Sequence, residues 1–173
     1  MGKLLFVTWM IKIMFSILNI FRASPDDLLA SKLCTEKTFY NFFINDLKHC
    51  RHEVIIESPF MTQKRVLTLA PVFAKLTKRG IKVIVTTRDP KEHDTYLRFQ
   101  ATAAIAYLKL LGVEVRLLSN HHHRKLAILD KKILWEGSLN ILSQNNSAEI
   151  MRRIKSKELS NQMLHFIKCN RLF

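Results

Sequence analysis

Residues 123–140 constrain the fold of this chain more than any other stretch. Two short apolar runs, Leu126-Ala127-Ile128-Leu129 and Ile133-Leu134-Trp135, flank the polar break Asp130-Lys131-Lys132. Apolar runs and a break of these lengths predict a β-hairpin. A hairpin brings its outer ends together. One end carries His123 and Lys125, the other Ser138 and Asn140, each pair two residues apart. If both ends continue as strand, alternation turns each pair to one face of the sheet. An imidazole, an ammonium, a hydroxyl and an amide then lie side by side. An imidazole attacks phosphorus, and the other three groups hold non-bridging phosphate oxygens through the transition state.

The rest of the chain supplies a frame for that hairpin. Phe39, Tyr40, Phe42, Phe43 and Leu47 give a helix with a broad apolar face, read as core rather than as a base-stacking platform. Residues 53–59 predict a strand ended by Pro59. Residues 66–78 predict a helix stopped by Gly80, with Pro71 marking a kink or a division into two. A strand over 81–87, a helix over 96–111 closed by Gly112, a strand over 113–118 and a last helix over 157–168 complete the pattern. Strands alternating with helices predict an α/β sandwich with a mostly parallel central sheet. No internal repeat, low-complexity tract or long linker interrupts it.

Ser24-Pro25-Asp26-Asp27 predicts a helix start, with a capping serine, a first-turn proline and two acids that suit the helix dipole. It also divides the chain into an extension, residues 1–23, and a catalytic domain, residues 24–173. Residues 1–21 are dense in Leu, Ile, Phe, Met and Trp, and Thr8, Lys12, Ser16 and Asn19 form one narrow polar stripe at helical spacing. A hydrophobic helix is expected there, and four roles remain open for it. A membrane span would carry Lys12 near its middle at a cost of about 2.5–3.5 kcal/mol. An interfacial helix or a helix packed on the domain keeps Lys12 wet. A cleaved export signal lacks a good small-residue cleavage site. Localisation is read as membrane-associated or cytoplasmic in preference to secreted.

The formal net charge is +14, from 28 Lys+Arg against 14 Asp+Glu. A surplus of that size concentrates polyanions at the surface, whether nucleic acid or anionic lipid. Three cysteines, Cys34, Cys50 and Cys169, give no disulfide framework. His49, Cys50, His52 and Cys34 hint at a metal site, but no C-x-x-C supports it.

The run His123-x-Lys125-x4-Asp130-x6-Gly137-Ser138-x-Asn140 resembles the signature of the phospholipase D superfamily at every fixed position. The resemblance extends by pattern from about Leu28 to the C-terminus. The segment from Trp135 to Ser143, followed by Glu149-Ile150-Met151-Arg152-Arg153, looks most like the branch found in DNA-processing proteins. It implies two-step phosphodiester hydrolysis with no metal and no cofactor. His123 would form a phosphohistidine, and a second motif would supply the acid that protonates the leaving oxygen. One motif per chain therefore implies a homodimer with the site on its two-fold axis. Lys125 and Asn140 would bind phosphate, Ser138 would support them, and Glu149 would orient the nucleophilic imidazole. Asp130, at the turn, is expected to fix the loop. Arg152 and Arg153 are candidates for the substrate backbone, and nucleic acid, DNA above all, is the expected partner. A membrane phospholipase D acting on anionic lipid and a non-catalytic nucleic-acid-binding module are the alternatives. His121 and His122 are read as pocket-edge residues rather than metal ligands.

Overall fold

The computed structural model describes residues 31–119, 122–143 and 147–169. The elements run β1 (Lys32–Thr35), α1 (Phe39–His49), β2 (Glu53–Glu57), α2 (Gln63–Lys78) and β3 (Lys82–Arg88). A 3-10 turn (Pro90–Glu92) follows, then α3 (Thr95–Leu110), β4 (Glu114–Leu118), β5 (Leu126–Leu129), β6 (Ile133–Gly137), β7 (Ile150–Lys155) and α4 (Lys157–Cys169). The expected N-terminal helix, its capping serine Ser24 and the boundary at residue 23 lie outside the described residues.

One seven-stranded sheet has the order β1-β7-β6-β5-β2-β3-β4. Only β2–β3 and β3–β4 are parallel. The other four pairings are antiparallel, so the expectation of a mostly parallel sheet is corrected to a mixed one. The reason is topological. Helical crossovers return β2, β3 and β4 in one direction, whereas the hairpin and the return into β7 reverse the chain at each step.

Helices cover both faces. One apolar layer sits between the sheet and α1, α2 and α3, and includes Phe39, Phe43, Phe73, Leu76, Leu108 and the fully buried Trp135. A smaller one, with Ile55, Leu126, Ile128 and Ile154, lies under Leu164 and Ile167 of α4. The aromatic face of α1 is core: Phe39 and Phe43 meet the Trp135 ring edge-on at 5.1 and 6.0 Å. Buried Asp46 accepts from Trp135 Nε1 at 2.9 Å, tying α1 to β6.

α2 continues through Pro71 as one helix, so the expected alternative of two shorter helices is corrected. Pro71 lies on the exposed side of α2. Gly80 and Gly112 follow α2 and α3 with φ of 75° and 80°, the left-handed stop expected of them. β1 has no counterpart in the expectation. Lys32-Leu33-Cys34-Thr35 is a short, mostly exposed segment, and it is a strand because β7 offers it an edge.

Candidate active site

The β5–β6 hairpin forms as expected, through a tight turn at Asp130 and Lys131. Both have positive φ, 52° and 53°, and Lys132 N donates to Leu129 O at 3.0 Å. Asp130 locks this end of the hairpin to the start of β2. Its carboxylate accepts from the backbone N–H groups of Arg51, His52 and Glu53 at 2.8 to 3.0 Å. Burial raises its pKa, but those three bonds outweigh it and the carboxyl titrates below its usual range.

The opposite end of the hairpin holds the chemistry. His123 and Lys125 lie just before β5, and Ser138 and Asn140 just after β6. All four line one open groove of about 960 Å³ together with Glu149 and Arg152. Lys125 Nζ lies 3.0 Å from His123 Nδ1 and donates to His123 O at 2.9 Å. Burial, then the charges of Lys125 and Arg88, hold the His123 imidazole below the usual histidine range. The shift favours the neutral imidazole, the form a nucleophile needs. Burial lowers the Lys125 ammonium as well, with Glu149 opposing and Arg88 adding to the shift.

The second half of the site is set by close backbone packing. At Gly137 a Cβ would collide with Ile150 O and stand 2.9 Å from Met151 Cα, so only glycine lets β7 approach this closely. Ser138 N donates to Ile150 O at 3.0 Å, and Ile150 N donates back to Ser138 Oγ at 3.1 Å. Beyond it Leu139, Ile141 and Leu142 are buried in the core. Leu142 N also donates to Ser58 Oγ at 3.1 Å, and Tyr40 Oη to Ile141 O at 3.0 Å. With its neighbours anchored, Asn140 faces the groove. Among the described residues its Oδ1 is buried without a hydrogen-bond partner. That oxygen can accept only from a donor, whereas the N–H of the same amide is the group a phosphate oxygen needs. Glu149 enters from the start of β7, accepts from Ser147 Oγ at 2.9 Å, and borders both the main groove and a smaller cleft of about 230 Å³ under Phe60.

The two candidate arginines part company. Strand alternation sends Arg152 to the groove, where its Nη1 donates to Ser31 Oγ at 2.8 Å. Arg153 points to the other face and grips Asp46 through two bonds, at 2.7 and 2.9 Å. Its assignment to substrate is therefore corrected to a structural ion pair. His122 is buried away from the groove with its ring 3.8 Å from Glu57, whereas His121 lies outside the described residues. Among the described residues no group of three or more His, Cys, Asp or Glu is arranged to hold a metal. Cys34 and Cys50 are buried, and His49 Nδ1 contacts Asn45 O at 2.7 Å.

Four neighbours of the site escape the motif. Glu57, fully buried at the end of β2, accepts from Arg124 Nε at 2.6 Å. Arg88, at the end of β3, donates to His122 O at 3.1 and 3.2 Å. Phe60 places its ring edge-on to His123 at 6.1 Å and 5.0 Å from the Arg88 guanidinium. A charged residue ending an apolar strand, as in Val54-Ile55-Ile56-Glu57, was the available signal, because parallel strands collect functional groups at their carboxyl ends.

Residues 43–168 match the family described as "Cardiolipin synthase, PLD-like domain". No curated protein sequence matches the chain. Among solved structures it is similar to Nuc, a phospholipase D family member from Salmonella typhimurium, with a TM-score of 0.63 and 16% identity over 79% of this chain and 90% of that one. It is similar to NucT from Helicobacter pylori, with a TM-score of 0.62 and 20% identity over 80% and 92%. Phosphatidylserine synthase from Haemophilus influenzae gives a TM-score of 0.60 and 14% identity over 78% of this chain and 37% of that one. At these identities the structures share the fold alone. The family match spans most of the chain, the mixed sheet is that of phospholipase D-like proteins, and the chain belongs to the phospholipase D superfamily.

Proposed function

We propose that this protein is a nuclease that hydrolyses nucleic acid, DNA above all, through a phosphohistidine and without a metal. The observation that carries this reading is the convergence of His123, Lys125, Ser138, Asn140 and Glu149 on one open, cation-bearing groove. His123 attacks phosphorus, and the bond to the leaving oxygen breaks as an acid protonates it. Water then attacks the phosphohistidine, releasing product and the imidazole. Lys125 and Asn140 bind the non-bridging oxygens, Ser138 braces Asn140 through β7, and Arg152 meets the strand. The acid is His123 of a second copy, which makes the active form a homodimer. The net charge of +14 supports a polynucleotide, and so does the likeness to Nuc and NucT over most of their length, against the 37% of the phosphatidylserine synthase that is covered.

A second reading, a phospholipase acting on anionic lipid, draws on the apolar rim of the groove. Leu33, Ile150 and Phe166 are each about half exposed there. The apolar composition of residues 1–21, which lie outside the described residues, also suits a membrane surface; among the described residues no helix is long and apolar enough to cross one.

Supercoiled plasmid in excess EDTA decides between them. Native protein is expected to nick it and His123→Ala to leave it intact. Loss of nicking on chelation would remove the metal-free mechanism. Failure of folded native protein to nick, with head-group release from anionic vesicles, would hand the site to lipid.

A further inference from the structure

The Glu57–Arg124 pair is not needed by the hydrolytic steps. Its carboxylate is fully buried and its guanidinium is part-exposed, so the buried charge holds one edge of an arginine whose other edge is open to the groove. Arg124 lines the groove next to Lys125. Its guanidinium stands 6.0 Å over the Phe166 ring, while Glu57 takes the Nε edge at 2.6 Å. A guanidinium has five donors in a flat fork that matches two phosphate oxygens, and Nε–H is one of the five. A loose surface arginine loses rotamer entropy when it binds, and Arg124 has already lost it to Glu57. Glu136, the other acid in this part of the groove, is paired across the sheet with Leu126 and Arg152.

We propose that Arg124, oriented by Glu57, is a specificity-determining residue that binds the phosphate next to the scissile one in a polynucleotide. This rests on the nuclease reading. A lipid with one phosphodiester has no such neighbour, so the contact selects for a strand.

The test measures binding of a single-stranded oligonucleotide across a salt series, in the full chain carrying His123→Ala so that nothing is cleaved. The comparison adds Arg124→Met with Glu57→Leu, which removes both charges of the pair together, and with them the carboxylate 3.8 Å from the buried His122 ring. One lost phosphate contact is expected to flatten the log–log salt slope by about 0.7. An unchanged slope in a folded variant overturns the inference and leaves the nuclease reading standing. No binding by the His123→Ala parent, even at low salt, overturns both. If the double substitution does not fold, Arg124→Lys takes its place. Lysine keeps the charge and loses the fork, so affinity is expected to fall about ten-fold at constant slope. Unchanged affinity overturns the inference.

Discussion

Asp130 shows how a motif residue serves the site from a distance. It stands at the far end of the hairpin from His123, and its three backbone bonds fix where β5 ends against the start of β2. Asp130→Ala is expected to cost roughly 2 kcal/mol at pH 7, the range of hydrogen bonds to a charged group. The pH dependence has a definite sign. A carboxyl lowered in the folded state stabilises above its unfolded pKa of about 3.9, and that contribution is lost as pH falls through the folded value. Urea unfolding at pH 7 and pH 3 should therefore separate the variant from the native protein at pH 7 and bring them closer at pH 3. An equal gap at both would remove the charge from the explanation. His123, Lys125, Ser138, Asn140 and Glu149 were legible as a group because a hairpin gathers its own ends. The Glu57–Arg124 pair was not, since nothing local links residues 67 apart. The sequence offers Arg152 and Arg153 as a pair of which one can reach the strand, and only the register of β7 says that it is Arg152.

At the scale of elements, the groove depends on how tightly β6 and β7 are pressed together. Gly137→Ala is expected to destabilise by roughly 3 kcal/mol, since the new methyl meets backbone on β7 and not a yielding side chain. The midpoint of urea denaturation measures the cost, and a near-native midpoint would mean that β7 can step aside. Most helices and strands were legible from periodicity and from stops such as Gly80 and Gly112. Strand direction was not, because an apolar run reads the same in a parallel or an antiparallel neighbourhood. β1 was invisible for a related reason: four residues with one buried side chain carry almost no signal until β7 supplies the partner.

At the scale of the whole molecule, the proposed homodimer makes a quantitative claim. Each composite site needs two intact His123 side chains. Mixing and reannealing equal amounts of native and His123→Ala chains should leave about one quarter of the all-native activity, the share of doubly native pairs. Retention of about one half would mean that each chain works alone. The sheet order carries a consequence for the chain's history. β2, β3 and β4 form a parallel half drawn from earlier sequence, and β5 alone joins it to the half built from β6, β7 and β1. That seam pairs Val54 with Leu129, so it closes only after the intervening chain has been made. During synthesis, a ribosome that has delivered β4 has exposed a framework with no reactive centre. His123 and Lys125 enter with β5, but Ser138, Asn140 and Glu149 follow it, so the groove is assembled only once β6 and β7 have closed the second half of the sheet, and a half-made chain carries at most half of the proposed centre.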